Sequence, residues 1–210
     1  MVRLIPSILS DKLDDYKKFA SIYSEFSEEM HLDYMDGIYV EGKSPDIEDI
    51  LNLNELHNSK MNIHIMSSDP RKLLEVISKY SNIELVYIHA DVFELEFLDH
   101  DYSFKLAVAL NPGHSVDDYK DLILSVDAVL VLTIIPGGQG HDFLPQNLVK
   151  IEEIRAKGFG GEIHIDGHVN KDTVSEILEH KPDALIVGSA IQHAWNPKGA
   201  FEEIKSKLVL

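Results

Sequence analysis

Eight short apolar runs, separated by segments with helical spacing, constrain this chain more than any other feature. Leu4-Ile5, Met30 to Met35, Met61 to Met66, Leu85 to His89, Leu106 to Leu110, Ala128 to Ile135, Glu162 to Asp166 and Ala184 to Val187 each read as a strand. Most are too apolar for a half-exposed antiparallel strand and carry the Ile and Val that a sheet buried on both faces requires. Between them, Asp11 to Phe26 places Leu13, Tyr16, Phe19, Ala20 and Tyr23 on one helical face. Arg71 to Tyr80, Asn147 to Lys157 and Lys171 to His180 repeat that spacing. Strands alternating with helices in this way call for parallel pairing with crossover helices. Eight repeats favour a closed (β/α)8 TIM barrel over an open doubly wound sheet, and 210 residues are enough to build one. No linker or low-complexity tract divides the chain, so residues 1–210 are expected to form one barrel domain. Pro136-Gly-Gly-Gln-Gly140 follows a strand and reads as a βα loop.

Charge and composition narrow the partners. Lys and Arg number 19 against 36 Asp and Glu, a formal net charge of -17, which repels a phosphodiester backbone and argues against nucleic acid. A small anion remains compatible, because backbone N–H groups at helix-opening turns hold phosphate without net positive charge. Cysteine is absent, so any metal must be held by His and carboxylate. MVRLIPSILS is too short and too soon broken by Pro6 for a signal peptide, and no apolar run reaches membrane-spanning length. The expectation is a cytoplasmic protein with no membrane partner.

In a barrel of this kind the active site lies at the carboxyl ends of the strands. Strand one is followed there by Ser7, strand two carries His31 and Asp33, strand three His64, strand four His89 and strand seven Asp166. His31 and Asp33 are two residues apart and share one face of their strand. If that face is the barrel interior, His31 and Asp33 converge with His64 and Asp166, two imidazoles and two carboxylates, enough to hold a divalent metal such as zinc, iron or manganese. A lone strand histidine is ordinarily a satisfied core or surface residue. A carboxylate inside an apolar strand is different, because burying it unpartnered costs several kcal/mol. His57, His100, His114, His164, His180 and His193 lie in loops, in helices or out of phase on strands and read as solvated.

Pro6-Ser-Ile-Leu-Ser10, His31-Leu-Asp-Tyr-Met-Asp-Gly37, Asn62-Ile-His-Ile-Met66 with Pro70, Leu110-Asn-Pro112, Pro136-Gly137 with Phe143-Leu-Pro145, Ile165-Asp-Gly167 and Val187-Gly-Ser189 follow one order and spacing. Together they resemble the ribulose-phosphate 3-epimerase family from Pro6 to Ala190. That family is a phosphate-binding (β/α)8 barrel that inverts the third carbon of a ketopentose phosphate. The resemblance implies that His31, Asp33, His64 and Asp166 bind one divalent ion per chain, and that Asp33 and Asp166 are the acid/base pair. It implies that Ser7 contacts substrate near the metal and that Met35 and Met66 line the pocket, although Met in a barrel strand is usually core filler. Leu132 stands where a third methionine is usual. Gly188 and Ser189 match part of the phosphate site, and Gly167 with Gly137 and Gly138 is expected to offer further backbone N–H groups to the anion. Family members often self-associate, so a homo-oligomer is possible on the resemblance alone.

The residue types suit the chemistry independently. Removing a proton beside a ketone builds charge on the carbonyl oxygen, which a metal stabilises. Inversion needs a base on one face of the planar intermediate and an acid on the other.

The match thins at the phosphate end. The family's NPGFGGQ becomes Ile135-Pro-Gly-Gly-Gln-Gly-His141, its DGG becomes Asp166-Gly167-His168, and its FVPN becomes Tyr39-Val-Glu-Gly42. His168 would either close the site or add a donor to the phosphate. The default substrate is ribulose 5-phosphate. Alternatives are a hexulose or heptulose phosphate, a modified sugar, or an inactive barrel that only binds sugar phosphate. Decarboxylation of a sugar or nucleotide phosphate is disfavoured, since related barrels use an Asp-x-Lys-x-x-Asp array where this chain has His64-Ile-Met-Ser-Ser-Asp69.

Overall fold

The computed structural model describes residues 2–138 and 140–208; Gln139 of the glycine-rich stretch lies outside them. Eight parallel strands close into a barrel in sequence order: β1 (Arg3–Ile8), β2 (Glu29–Met35), β3 (Lys60–Met66), β4 (Ile83–His89), β5 (Lys105–Leu110), β6 (Ala128–Leu132), β7 (Glu162–Asp166) and β8 (Ala184–Val187). Helices run between and after them: α1 (Leu13–Tyr23), α2 (Ile47–Leu51), α3 (Arg71–Ile77), α4 (Lys120–Ile123), α5 (Lys150–Ala156), α6 (Val174–Glu179), α7 (Ser189–Gln192) and α8 (Pro197–Lys205). The TIM barrel expected from the alternation is therefore present. Short helices α2, α4 and α7 escape periodicity because four or five residues cannot display a repeat. β6 ends at Leu132, short of the expected Ile135. Beyond it, Thr133 donates from its backbone N–H to the Asp166 carbonyl (2.8 Å) and from Oγ1 to the Gly167 carbonyl (2.6 Å), and Ile135 is exposed.

Alternation along each strand sorts the core into two compartments. Outward residues such as Leu32, Ile63, Ile65, Val108 and Val129 pack against Tyr16, Phe19, Ile77 and Ile154 from the helices. The inner compartment holds Ile5, Leu85, Tyr87, Ala107, Ala109, Ala128, Leu130, Leu132, Ala184 and Ile186. Its alanines lie on β5, β6 and β8. That leaves room on the axis for the histidines, tyrosine and carboxylates of β2, β3, β4 and β7, as close packing demands. Among the described residues, no helix is long and apolar enough to cross a membrane.

Candidate active site

Register places the polar side chains. Asp33 on β2 is the lateral partner of His64 on β3, Ser7 on β1 pairs with His31, and Asp166 on β7 sits between Leu132 and Ile186. One donor atom from each of His31, Asp33, His64 and Asp166 lies within 4.8 Å of all the others. Asp33 Oδ1 is 3.3 Å from His31 Nε2 and 2.9 Å from His64 Nδ1, and His64 Nδ1 is 4.0 Å from Asp166 Oδ2. Ligand atoms on a tetrahedral ion with bonds of about 2.0 Å stand roughly 3.3 Å apart, so small adjustments would let these four residues enclose one divalent ion. Helix α1 steadies the cluster from behind, because the Tyr16 hydroxyl donates to the Asp33 carbonyl at 2.9 Å.

The two carboxyls have opposite electrostatics. Burial alone would raise both. In Asp33 the charges and hydrogen bonds of His31 and His64 outweigh it and hold the group well below the usual carboxylate range. Asp166 is pushed up to about 7 by burial and then by the neighbouring Asp33 charge. His31 is raised, because the surrounding carboxylates overcome the cost of burial, whereas burial lowers His64.

A cavity opens over this cluster, lined by Ser7, Asp33, His64, Met66, Leu132 and Asp166 at its floor. Gly137, Gly138, His141, Gly167, His168, Gly188 and Ser189 line its mouth. Gly167 has φ +115°, and a Cβ there would fall 2.8 Å from Ile134 Cγ1. At Gly188 a Cβ would stand 2.8 Å from Ser7 Oγ, so glycine lets this turn approach β1 without displacing the Ser7 hydroxyl. His168 takes the left-handed conformation (φ 55°), its ring stacked on Phe143 and its Nδ1 3.2 Å from the His141 carbonyl oxygen.

Of the residues singled out in the sequence, His31 and Met35 do not line the cavity. His31 is buried beneath it, and Met35 packs under Gly42 of the loop after β2. His164 corrects an expectation: it is fully buried, not solvated. Two residues before Asp166, it shares that residue's inward face, and it sits 2.6 Å from the Tyr87 hydroxyl and 3.0 Å from Glu162 Oε2. His57, His100 and His193 are exposed; His114 and His180 are half-buried. Sequence reasoning left His89 outside the cluster, yet its Nε2 lies 2.9 Å from His64 Nε2. The available signal was its position at the inward carboxyl end of β4. His141 was likewise unassigned, because loop residues carry no periodicity.

Residues 3–192 match the ribulose-phosphate 3 epimerase family. A ribulose-phosphate 3-epimerase of Bacillus subtilis is 26% identical, covering 98% of this chain and 99% of that protein. One from Mycobacterium leprae is 24% identical, covering 97% and 94%. Among solved structures, 3-hexulose-6-phosphate synthase from Salmonella typhimurium superposes with a TM-score of 0.70 at 16% identity, covering 99% of each chain. Orotidine 5'-monophosphate decarboxylase from Methanocaldococcus jannaschii does so at 0.63 and 17%, covering 100% of each. At such identity these two structures report the barrel fold alone. The family match spans nearly the whole barrel and includes every strand that brings a residue to the cluster, and the chain belongs to the ribulose-phosphate 3-epimerase family.

Proposed function

We propose that residues 1–210 act as one catalytic barrel that inverts the third carbon of a ketose phosphate, ribulose 5-phosphate being the default substrate. The observation that carries this reading is the pair Asp33 and Asp166, set in one cavity floor with opposite proton affinities. One carboxylate removes the proton at carbon three from one face, and the other, protonated, returns a proton to the opposite face. For the reverse reaction the roles exchange. His31, His64 and the two carboxylates would hold a divalent ion such as zinc, iron or manganese, and its chemistry is to withdraw electron density from the adjoining carbonyl. Met66 and Leu132 wall the floor and keep water from the planar intermediate, and Ser7 orients the sugar. Gly137, Gly138, Gly167, Gly188 and Ser189 frame the end that takes the phosphate, with His168 beside them.

His141 and His168 at the mouth favour a second reading, a ketose phosphate other than the pentulose, because bulky rings stand where the family has smaller or different residues. Both readings meet one experiment. Metal-loaded protein in deuterated water, offered a panel of pentulose, hexulose and heptulose phosphates, should place deuterium at carbon three of one of them. No exchange into any member would overturn the proposed reaction, and exchange confined to a hexulose or heptulose would select the second reading.

A further inference from the structure

Behind the four-residue cluster runs a row of polar side chains that the acid/base chemistry does not use. His64 turns Nδ1 toward Asp33 and Asp166 and turns Nε2 away, 2.9 Å from Nε2 of His89. Two ring nitrogens at that distance share one hydrogen, so one donates and the other presents a lone pair. Without a metal, Asp33 Oδ1 at 2.9 Å accepts the hydrogen of His64 Nδ1; once Nδ1 holds a metal, the choice is made further out. The Tyr39 hydroxyl lies 2.8 Å from Asp91 Oδ1, and a carboxylate oxygen accepts, so the phenol donates to it. With its hydrogen committed, the Tyr39 oxygen accepts from Asn111 Nδ2 at 2.7 Å. That orients the amide, nitrogen toward Tyr39 and oxygen away.

Asn111 Oδ1 and His89 Nδ1 are two buried polar atoms without a hydrogen-bond partner of their own, and the two side chains interact. One can only accept and the other can donate, so a hydrogen bond between them puts the His89 hydrogen on Nδ1. His89 Nε2 is then a lone pair, and His64 Nε2 has to donate to it. The chain is held in place: the Tyr39 ring packs 4.6 Å from the His89 ring, and the Tyr39 backbone N–H donates to Asp36 at 2.7 Å.

We propose that Asp91, Tyr39, Asn111 and His89 form a directional hydrogen-bond chain, closed by a bond from His89 Nδ1 to Asn111 Oδ1, that keeps a hydrogen on His64 Nε2 when Nδ1 holds a metal ion. They are positioning residues, and their purpose rests on the metal reading given above. Outer partners of metal-bound histidines set tautomer and ring orientation in this way.

Two measurements on the full chain test it. Nitrogen-15 spectra of the zinc-loaded protein should show His89 protonated at Nδ1 and bare at Nε2; the reverse tautomer overturns the chain. Cobalt(II) titration against a competing chelator should show His89→Phe binding about 10- to 100-fold more weakly than the parent. His89→Gln, whose amide oxygen can accept from His64 Nε2, should recover most of that loss. Parental affinity in His89→Phe, or equal losses in both variants, overturns the proposal. A parent that binds neither zinc nor cobalt overturns instead the metal reading on which the chain rests.

Discussion

The two ends of the barrel both bury histidine among charged groups, and they leave it in different states. At the amino end Arg3 donates from both terminal nitrogens to Glu162 at 2.9 and 2.8 Å. His164 is engaged on both ring nitrogens, by Tyr87 and by Glu162, and Asn62 donates to Glu29 at 2.7 Å. Hydrogen bonds from His164 and Arg3 draw Glu162 well below the usual carboxylate range. At the carboxyl end one oxygen of Asp33 serves two histidines, Asp166 is raised to about 7, and His31 Nδ1 lacks a partner. Matched donors and acceptors make a stabilising plug, whereas an excess of acceptors around a cavity makes a site that something else must complete. The same side chains thus read as structure at one end and chemistry at the other.

The sharpest break between the ends is expected in turnover. Asp33→Asn and Asp166→Asn should each lower epimerisation by about 10³-fold or more, since an amide cannot accept the proton. Each should retain solvent exchange with only the epimer whose abstracting carboxylate survives, and metal content must be measured on both. A fully metallated Asp166→Asn protein that epimerises at the parental rate would sink the two-base mechanism.

Next in size is an exchange of phenotypes between histidines. His164→Ala removes a fully buried ring that partners Tyr87 and Glu162 and should cost about 2–4 kcal/mol in urea unfolding while cobalt affinity stays near that of the parent. His64→Ala should do the reverse, losing most of the cobalt affinity with the smaller loss of stability. Parental cobalt affinity in His64→Ala, or its loss in His164→Ala, would erase the distinction between the two ends.

The last effect is a slope. Asp166 binds its proton more tightly when folded, about 7 against an ordinary 3.8, so its contribution is complete below pH 4 and fades as the pH rises through about 7. Chelator-treated parent should therefore lose stability relative to Asp166→Asn across that window, by up to about 1.4 kcal/mol per pH unit. Asp33, held low, acts oppositely and loses its contribution only as the pH falls below the ordinary carboxylate range. A flat parent-to-variant difference between pH 4 and 7 would show that Asp166 is not held protonated by the fold.

Much of this architecture was legible beforehand because a parallel barrel repeats its instructions. Apolar runs such as Leu106 to Leu110 state a strand buried on both faces, and two-residue spacing states that His31 and Asp33 point the same way. Where the reading failed, the information was not local. His164 shares the spacing of Asp166, but nothing in its neighbours reveals Tyr87 waiting across the axis from β4, 77 residues away in sequence. His89, Tyr39, Asn111 and Asp91 come from loops and ends of different strands, and only closure of the barrel sets them in a row.

By itself, then, the sequence determined the alternation of strand and helix, the closed eight-fold arrangement it implies, and the supply of His and Asp at the strand ends. Those follow from side-chain period and from the need to bury apolar surface, which act over a few residues at a time. The tertiary structure alone decided the lateral pairing of Asp33 with His64 and the unequal proton affinities of Asp33 and Asp166. It also decided which histidines have partners. Those depend on distances of a few ångströms between distant segments in a low-dielectric interior, where small displacements decide whether a charge is matched or bare.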